Sequence, residues 1–247
     1  MIKIKALSKK YKKSTHFAVD ALDLDISSGG IFGVLGPNGA GKTTLISMLC
    51  GLIKPTSGNF SINGMNYQEN RMELKQSIGV VPQEYSLYPS LTAWENLQYF
   101  GAMYGIPAKE LGQLIEEQLK NNGLEDFTHK KIKSFSGGMK RRVNLIAGIL
   151  HQPKVLFLDE PTVGVDVHSK AVIIQNLKKI NKTGTTIIYT SHHLREAEFF
   201  CDTVAIIDHG KIISVDKPEV LIQNTPNAIH LEDVFLSLTG IKLRDYA

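Results

Sequence analysis

Short apolar runs separated by turn residues divide much of the chain into predicted β-strands. Residues 2–7 and 18–26 alternate between apolar and polar positions, as strands with one buried face do, whereas residues 31–35 form the short apolar run of a strand buried on both faces. The same criteria predict strands over residues 59–62, 77–81, 155–160, 184–189, 204–207 and 211–215. The sequence Asp-His-Gly between the last two strands predicts a hairpin turn.

Between these strands the apolar spacing changes to the helical period. Helices are predicted over residues 43–50, 91–104, 108–121, 168–180 and 229–238, and one more runs from Ser136 to about residue 150. Thr92, with Glu95 three residues later, is a candidate capping box, and Gly123 is a candidate helix terminator. Strands that alternate with helices predict an α/β fold with a parallel sheet.

Composition places the chain among ordinary globular proteins, with 247 residues, 43% hydrophobic and 21% charged. This length allows one large domain or two small ones. The formal net charge of +4 is too small to argue for nucleic acid. The N-terminus is locally basic, which indicates either the solvated face of an edge strand or attraction to anionic lipid headgroups. Its lysines are Lys3, Lys5, Lys9, Lys10, Lys12 and Lys13.

Two cysteines, Cys50 and Cys201, lack the spacing of a metal site, and we expect both to be buried, reduced thiols of a cytosolic protein. The N-terminus lacks the apolar core of a signal peptide. No apolar run approaches the roughly 18 residues of a membrane helix. We therefore expect that the chain itself does not cross a membrane.

The strongest chemical signal is the sequence Gly-Pro-Asn-Gly-Ala-Gly-Lys-Thr-Thr, whose first eight residues fit G-x-x-x-x-G-K-[ST]. Glycines let backbone N–H groups close around phosphates, and the preceding strand and following helix supply the context that this motif requires. Lys42 would sit on the β- and γ-phosphates, and Thr43 would give its hydroxyl to Mg²⁺. The alternative is a glycine-rich turn without a ligand. The candidate nucleotide-binding residues are Gly36, Pro37, Asn38, Gly39, Ala40, Gly41, Lys42, Thr43 and Thr44.

Polar residues also follow predicted strands at the edge where the carboxyl ends of parallel strands meet. Asp159 can orient the Mg²⁺ shell and Glu160 can accept a proton from attacking water; the alternative is an acidic cap on the next helix. Gln83 can ligate Mg²⁺ or hold water, although a lone glutamine is ordinarily a loop residue. His192 can donate a hydrogen bond to a γ-phosphate, and His193 is expected only to begin a helix.

Aromatic residues leave two questions open. Tyr11 could stack on a nucleobase or simply pack against a strand. Six aromatic residues are concentrated between residues 85 and 104, more than one small helical layer needs. Part of this group could form a docking groove for another protein, with plain core packing as the alternative. Its members are Tyr85, Tyr88, Trp94, Tyr99, Phe100 and Tyr104.

A second candidate anion site is formed by Ser136, Gly137 and Gly138, because two glycines beside a helix N-terminus present backbone N–H groups. One nucleotide does not need two such sites. Either this segment only begins a helix, or it caps a nucleotide that another copy of the protein holds.

With these motifs in this order, the chain closely resembles the nucleotide-binding subunit of an ATP-binding cassette (ABC) transporter over residues 1–240. In that family Tyr11 matches the adenine-stacking aromatic residue, and residues 36–44 match the Walker A loop. The other roles that the resemblance implies are the Q-loop glutamine for Gln83, the signature for Ser136, Gly137 and Gly138, the Walker B aspartate for Asp159, the catalytic base for Glu160, the D-loop aspartate for Asp166 and the switch histidine for His192.

The sequence departs from the family pattern at a few positions. Phe135 and Met139 replace the Leu and Gln of L-S-G-G-Q, and Val165 replaces the usual leucine of the D-loop. The Ser-Gly-Gly core is intact, so ATPase activity is expected. A signature of Ser-Gly-Gly-Met followed by Lys-Arg-Arg resembles the branch of short, separate ATPase subunits that serve drug, bacteriocin or ion exporters in bacteria and archaea.

The resemblance implies an α/β fold with a P-loop NTPase (RecA-like) core, an N-terminal antiparallel β layer and an inserted α-helical subdomain. The implied division assigns residues 1–83 and 143–225 to the core and β layer, 84–142 to the helical subdomain, and 226–247 to a short C-terminal helix and tail. It also implies ATP and Mg²⁺ as cofactors and a head-to-tail homodimer or heterodimer. Integral membrane permease subunits would dock near Gln83 and the aromatic residues, at the cytoplasmic face of the cell membrane, and no nucleic acid is expected.

A competing function is a cytosolic ABC-type ATPase that acts as a switch without a transporter. A GTPase is disfavoured, since Asn-Lys-Thr-Gly at residues 181–184 lacks the aspartate of the base-reading motif N-K-x-D. Related cassettes that act on ribosomes or DNA are generally tandem or carry very long helical insertions, and this sequence has neither.

Overall fold

The order of the elements follows the alternation that the sequence predicts. The computed structural model describes residues 1–12 and 14–240, so Lys13 and residues 241–247 of the predicted tail lie outside the described residues. The strands are β1 (Ile2–Lys10), β2 (Phe17–Ile26), β3 (Ile31–Leu35), β4 (Ser57–Ile62), β5 (Ile78–Val81), β6 (Val155–Asp159), β7 (Thr186–Ser191), β8 (Thr203–Asp208) and β9 (Lys211–Asp216). The helices are α1 (Lys42–Leu49), α2 (Arg71–Ser77), α3 (Ala93–Met103), α4 (Ala108–Asn121), α5 (Gly137–Ile149), α6 (Val167–Lys182), α7 (Leu194–Phe200), α8 (Pro218–Asn224) and α9 (Leu231–Thr239).

The first of two compact units comprises Met1–Leu74 and the described residues from Thr186 onward. Its central strand is β3, which is buried along its whole length and pairs in parallel with β7 and with β8. Strand β9 adds to β8 in the antiparallel sense. Leu35 lies opposite Ser191 of β7 and Ile206 of β8, so these three strands end close together at one edge.

A three-stranded antiparallel sheet, in the order β2-β1-β4, belongs to the same unit. Strand β1 buries Ile2 and Ile4 and exposes Lys3 and Lys5, as its alternating pattern predicts. Lys3 lies opposite Asp25 of β2, which is a favourable cross-strand charge pair. The lysines therefore lie on a solvated face, but the expectation of an edge strand is wrong, because β1 is paired on both sides.

The second compact unit, residues 75–185, combines strands β5 and β6 with helices of an α-helical layer. The two strands pair in parallel, from Ile78 opposite Val155 to Val81 opposite Leu158, and every residue of β6 is buried. A separate apolar cluster fills the space among α3, α4 and α5. Its members include Leu97, Ile115, Leu119, Val143 and Ile146.

The predicted α/β fold is confirmed, and several elements match closely. The predicted bounds of β3 and α4 agree residue by residue, and Thr92 and Glu95 form the predicted capping box of α3. Cys50 and Cys201 are buried free thiols, as expected. Among the described residues there is no helix that combines the length and apolarity needed to span a membrane.

Other elements differ from the predictions. The sequence does not predict α2 and α8, because each has seven residues and too few apolar positions to display a helical period. Strand β7 begins two residues later than predicted and includes Thr190 and Ser191, whose β-branched or small side chains fit the buried strand. The division into a core with a β layer, a helical subdomain and a C-terminal tail stays a prediction.

Asn96 fixes the chain at the start of α3. Its side chain is fully buried, with 0% exposure. The Tyr88 backbone N–H donates to Asn96 Oδ1 at 2.7 Å, and Asn96 Nδ2 donates to the carbonyls of Tyr88 at 3.1 Å and Thr92 at 2.8 Å. These bonds hold the segment that carries Tyr88 against the helix.

We predict that Asn96→Leu lowers the free energy of unfolding by about 2–4 kcal/mol, because three side-chain hydrogen bonds are lost at a fully buried position and the Tyr88 N–H loses its acceptor. The matched control Gln98→Ala, at an exposed position of the same helix, should change it by less than about 0.5 kcal/mol. Urea unfolding followed by circular dichroism measures both, and equal stability of the two variants would contradict the assignment.

Candidate functional site

The phosphate loop over residues 36–44 approaches its neighbours so closely that glycine is required at two positions. A Cβ on Gly36 would lie 2.1 Å from the carbonyl oxygen of Ile207. A Cβ on Gly41, whose φ is +108°, would lie 2.2 Å from the carbonyl oxygen of Ala18. At Gly39 a Cβ would meet no atom of the described residues within 4 Å, so this part of the loop faces open space.

Lys42 begins α1 and is only 5% exposed. Its Nζ donates to the carbonyl oxygens of Gly36 at 2.9 Å and Pro37 at 3.1 Å, which places the ammonium inside the curve of the loop. The first N–H groups of α1 and the positive end of its dipole lie at the same place. This arrangement suits a bound phosphate group.

Tyr11 lies beside the loop helix. Its hydroxyl is 3.4 Å from Thr44 Oγ1, and its ring is 47% exposed, with Lys9 Nζ 5.5 Å from the ring centroid. A ring this exposed is not a core side chain, so the packing alternative has little support. Stacking on a nucleobase stays the prediction for this residue.

His192 directly follows β7 at the edge where the phosphate loop begins. The Gly36 backbone N–H donates to the carbonyl of Ser191 at 3.4 Å, so the first loop residue and the end of β7 are in contact. His193 is the N-cap residue of α7, as predicted, and its ring centroid is 4.1 Å from that of His192. Within this unit the structure thus brings together the loop and the strand end that carries His192.

In the second unit, Asp159 ends β6 and Glu160 follows it, and both side chains are 5% exposed. Gln83 Nε2 donates to Glu160 Oε2 at 3.3 Å, so two predicted site residues are in contact. Glu160 has a left-handed φ of 49°, a conformation that costs about 1–3 kcal/mol and is concentrated at functional sites. The N-cap of the next helix is Asp166, so the alternative of an acidic cap at Asp159 and Glu160 is wrong.

The signature segment begins α5. Ser136 is its N-cap and accepts a hydrogen bond from the Met139 backbone N–H at 3.2 Å. A Cβ on Gly137 would make only ordinary contacts, 3.5 Å from the Tyr85 hydroxyl and 3.7 Å from the Gly164 carbonyl. Gly137 is also exposed, so its backbone is open to approach by a ligand.

The start of α5 packs against the start of α6, where Gly138 lies next to Asp166 and Ser169. A Cβ on Gly138 would lie 2.3 Å from Ser169 Oγ and 2.9 Å from Asp166 Oδ2, so only glycine fits there. Asp166 accepts a hydrogen bond from the Ser169 backbone N–H at 2.9 Å, and this bond, with a second one from the Ser169 hydroxyl, lowers the pKa of its carboxyl. Asp166 is thus ionised at neutral pH.

The residues predicted to hold Mg²⁺ are Thr43, Gln83 and Asp159, and all offer oxygen atoms. Within residues 1–12 and 14–240, no group of three or more His, Cys, Asp or Glu side chains is placed to hold a metal ion. Mg²⁺ is typically bound by one or two carboxylates together with substrate phosphates and water, and not by an all-protein cage. The donor set fits this ion.

Five of the six residues of the predicted aromatic group divide into two sets. Trp94 and Phe100 pack against the apolar cluster of the helical layer, as the core alternative expects. Tyr85, Tyr88 and Tyr99 are exposed by 39%, 45% and 43%, so these three rings are available to a partner. Of these three, Tyr85 also lines a groove of about 640 Å³, together with Gln83, Leu87, Lys140 and Arg141.

Sequence reasoning missed Arg141 and Asn144 of α5. Arg141 Nη1 donates to the carbonyl of Pro82 at 3.1 Å, and Asn144 Nδ2 donates to the same oxygen at 3.4 Å. Both residues therefore hold the backbone immediately before Gln83. Their spacing of three residues, which puts them on one helix face, was the available signal.

Comparison with known sequences gives a consistent result. The sequence profile of the ABC transporter family matches residues 19–163. The chain is 45% identical over 215 residues to the linearmycin resistance ATP-binding protein LnrL of Bacillus subtilis (strain 168), an alignment that covers 87% of this chain and 68% of that protein. It is 37% identical over 209 residues to the Nod factor export ATP-binding protein I of Cupriavidus metallidurans, covering 85% of this chain and 69% of that protein.

Solved structures share the fold over most of the chain. An ATP-binding subunit of an ABC transporter matches with a TM-score of 0.87 and 25% identity, covering 97% of this chain and 99% of that one. A dimeric ATP-binding cassette in a post-hydrolysis state, bound to ADP and Pi, matches with a TM-score of 0.80 and 29% identity, covering 88% and 98%.

The two signature glycines should respond differently to a methyl group. We predict that Gly138→Ala lowers the free energy of unfolding by about 1–3 kcal/mol, because its Cβ would overlap Ser169. Gly137→Ala should be neutral or stabilising by up to about 1 kcal/mol, because its site is open and alanine favours a helix. Thermal unfolding of the two variants tests this, and a Gly137→Ala variant that is the less stable of the two would refute it.

Proposed function

The chain belongs to the ABC transporter family of ATP-binding proteins, and from this premise we propose that it powers export of a substrate through separate membrane-spanning subunits. It is the ATP-binding subunit of a transporter and an ATPase whose hydrolysis is coupled to transport. Relatives named for linearmycin resistance and Nod factor export support the export direction. In this proposal those subunits hold the chain peripherally at the cytoplasmic face of the membrane.

The observation that carries the proposed mechanism is the contact of 3.3 Å between Gln83 Nε2 and Glu160 Oε2. Glu160 is a buried carboxylate one residue beyond the end of β6, where it would accept the proton of the attacking water. Gln83 is uncharged, so its amide can hold that water or exchange to a metal ligand at little electrostatic cost.

The remaining residues would bind and orient the nucleotide. Lys42 supports the β- and γ-phosphates from inside the loop, His192 donates to the γ-phosphate, and Tyr11 stacks on the adenine. Thr43, Asp159 and Gln83 would hold Mg²⁺, which neutralises phosphate charge when it is bound. The other loop residues supply backbone N–H groups.

Two copies are needed to enclose each nucleotide in this proposal. The open backbone at Gly137 and the helix N-terminus capped by Ser136 offer N–H groups to an anion, as the phosphate loop does. One γ-phosphate is enclosed from both sides only if the second set comes from a facing subunit. We propose a head-to-tail dimer, of identical or related chains, in which Asp166 lies beside the signature segment at the interface.

We further propose that the membrane-spanning partner docks at the groove beside Gln83. The exposed rings of Tyr85, Tyr88 and Tyr99 offer contact area of the kind that is enriched at protein interfaces. Gln83 lines this groove and also contacts Glu160. A partner that docks in the groove could therefore change the position of Gln83 and, through it, the environment of the proposed general base.

The first test concerns the general base. Glu160→Gln should reduce kcat by about 10²–10⁴ while ATP affinity stays within a few-fold, because the amide keeps the shape of the side chain and cannot accept the proton. ATP should then be trapped in a stable dimer, seen by size-exclusion chromatography. Glu117→Gln, at an exposed position of α4, serves as the control and should retain wild-type turnover. A Glu160→Gln variant with turnover within tenfold of wild type would refute the assignment.

The second test distinguishes a head-to-tail dimer from a monomeric ATPase. Gly137→Asp should leave ATP binding by the monomer intact and abolish hydrolysis, because a negative charge would face the γ-phosphate. Lys42→Ala should lose affinity and turnover together, since its charge acts in the ground state and in the transition state.

Mixing these two inactive variants should restore one competent site per heterodimer and hence part of the ATPase activity. Gly137→Ala, which adds the methyl group without the charge, controls for the substitution itself. Absence of recovery despite demonstrated heterodimers would rule out the head-to-tail arrangement.

A further inference from the structure

Arg141 is a charged residue in an unusual position, on α5 and only 3% exposed. Its Nη1 donates to the carbonyl of Pro82 at 3.1 Å, and its Nε is buried with no hydrogen-bond partner in the described part of the chain. A buried guanidinium pays a large desolvation penalty unless it is well paired. A hydrophobic side chain could pack here without that penalty, so the specific contacts of Arg141 distinguish it from a packing residue.

The segment that Arg141 holds is the one that carries Gln83. Asn144, one turn further along α5, donates to the same carbonyl of Pro82 at 3.4 Å and accepts from the Ser86 backbone N–H at 3.2 Å. Contacts on both sides of Gln83 thus attach this segment to α5. Between them Gln83 reaches Glu160 at 3.3 Å.

The segment that carries Gln83 also contacts the signature glycine Gly137, through the side chain of Tyr85. The Arg141 guanidinium lies over the Tyr85 ring, 4.9 Å from its centroid, which is a cation–π geometry. The Tyr85 hydroxyl donates to the carbonyl of Gly137 at 3.2 Å. Arg141 therefore contacts the segment that carries Gln83 at two points, the Pro82 carbonyl and the Tyr85 ring, and Tyr85 in turn contacts the signature glycine.

Arg141 also places a positive charge near the proposed reaction site. Burial lowers the pKa of the Arg141 guanidinium below its ordinary value. The nearby groups Tyr85, Asp159 and Glu160 offset part of this effect by favouring the charged form. The guanidinium stays protonated in any case, because its ordinary pKa is far above neutrality. It thus brings a fixed positive charge within electrostatic reach of Asp159 and Glu160.

We infer that Arg141 is a positioning residue for ATP hydrolysis: it fixes the segment around Gln83 on the signature helix, so that Gln83 remains in contact with Glu160. This inference deepens the proposed function and rests on the roles proposed there for Gln83 and Glu160. Arg141 itself does not contact the reacting atoms. Its effect on turnover therefore passes through Gln83.

A double-mutant cycle tests this dependence in the purified protein. Gln83→Ala and Arg141→Gln should each lower kcat about tenfold, with the Kd of the monomer for ATP unchanged within about twofold. The double variant should be no slower than Gln83→Ala alone, because both changes remove the same positioning. Two independent effects would instead multiply to about a hundredfold loss.

Conservative substitutions separate positioning from general damage to the fold. Arg141→Lys keeps the charge and a donor for the Pro82 carbonyl but loses the planar guanidinium over Tyr85, so it should retain more turnover than Arg141→Gln. Arg141→Met has similar length without charge and should behave as Arg141→Gln does, which provides a second variant if the glutamine protein does not fold. Arg142→Gln is the matched control, since this neighbour donates instead to the carbonyl of Asn122 at 2.7 Å.

The outcomes distinguish this inference from the function on which it rests. If Glu160→Gln and Gln83→Ala both leave kcat unchanged, the proposed site and the inference fail together. If they lower kcat while Arg141→Gln has no effect, or while the effects of Arg141→Gln and Gln83→Ala multiply, only the inference is overturned. Rescue by lysine together with a non-additive cycle would support it.

Discussion

Close approach of backbone to backbone is the constraint on which the phosphate loop, and with it the nucleotide site, depends. Gly36 and Gly41 leave no space for a Cβ against the carbonyls of Ile207 and Ala18, at 2.1 and 2.2 Å. The loop backbone therefore lies directly against β8 and β2. Lys42 and the N-terminus of α1 take their positions from it, so the donors for phosphate are preorganised by main-chain packing and not by flexible side chains.

In the second unit, helix α5 positions the candidate site residues, and it does so through side-chain contacts. Its N-terminus carries the signature, its first turn rests on Ser169 through Gly138, and its next turn holds the Gln83 segment through Arg141. A hydrophobic residue at position 141 would avoid the desolvation of a charge, and such replacements are often neutral or stabilising. The guanidinium supplies what a hydrophobic side chain could not, a hydrogen bond to the Pro82 carbonyl and a cation–π contact with Tyr85.

Much of the fold and most of the candidate site could be predicted from the sequence, since their signals are local. The capping box of Thr92 with Glu95 and the N-cap at Ser136 depend on residues three positions apart, and the motif at residues 36–44 carries its own strand and helix. The burial of Arg141 could not be predicted, because Lys-Arg-Arg is typical of a solvated surface and its partner Pro82 lies 59 residues away in sequence. The left-handed backbone of Glu160 has no signature in residue type either.

The second unit also suggests a physical reason why two nucleotide sites would depend on each other. In the proposed dimer, Gly137 serves the nucleotide of the facing subunit, whereas Glu160 serves the nucleotide of its own. Four contacts connect them within one chain: the Tyr85 hydroxyl with the Gly137 carbonyl, Arg141 with the Tyr85 ring, Arg141 with the Pro82 carbonyl, and Gln83 with Glu160. A shift of the signature helix on closing over one phosphate would therefore move the amide beside the base at the other site, and packed contacts transmit such shifts rather than absorb them.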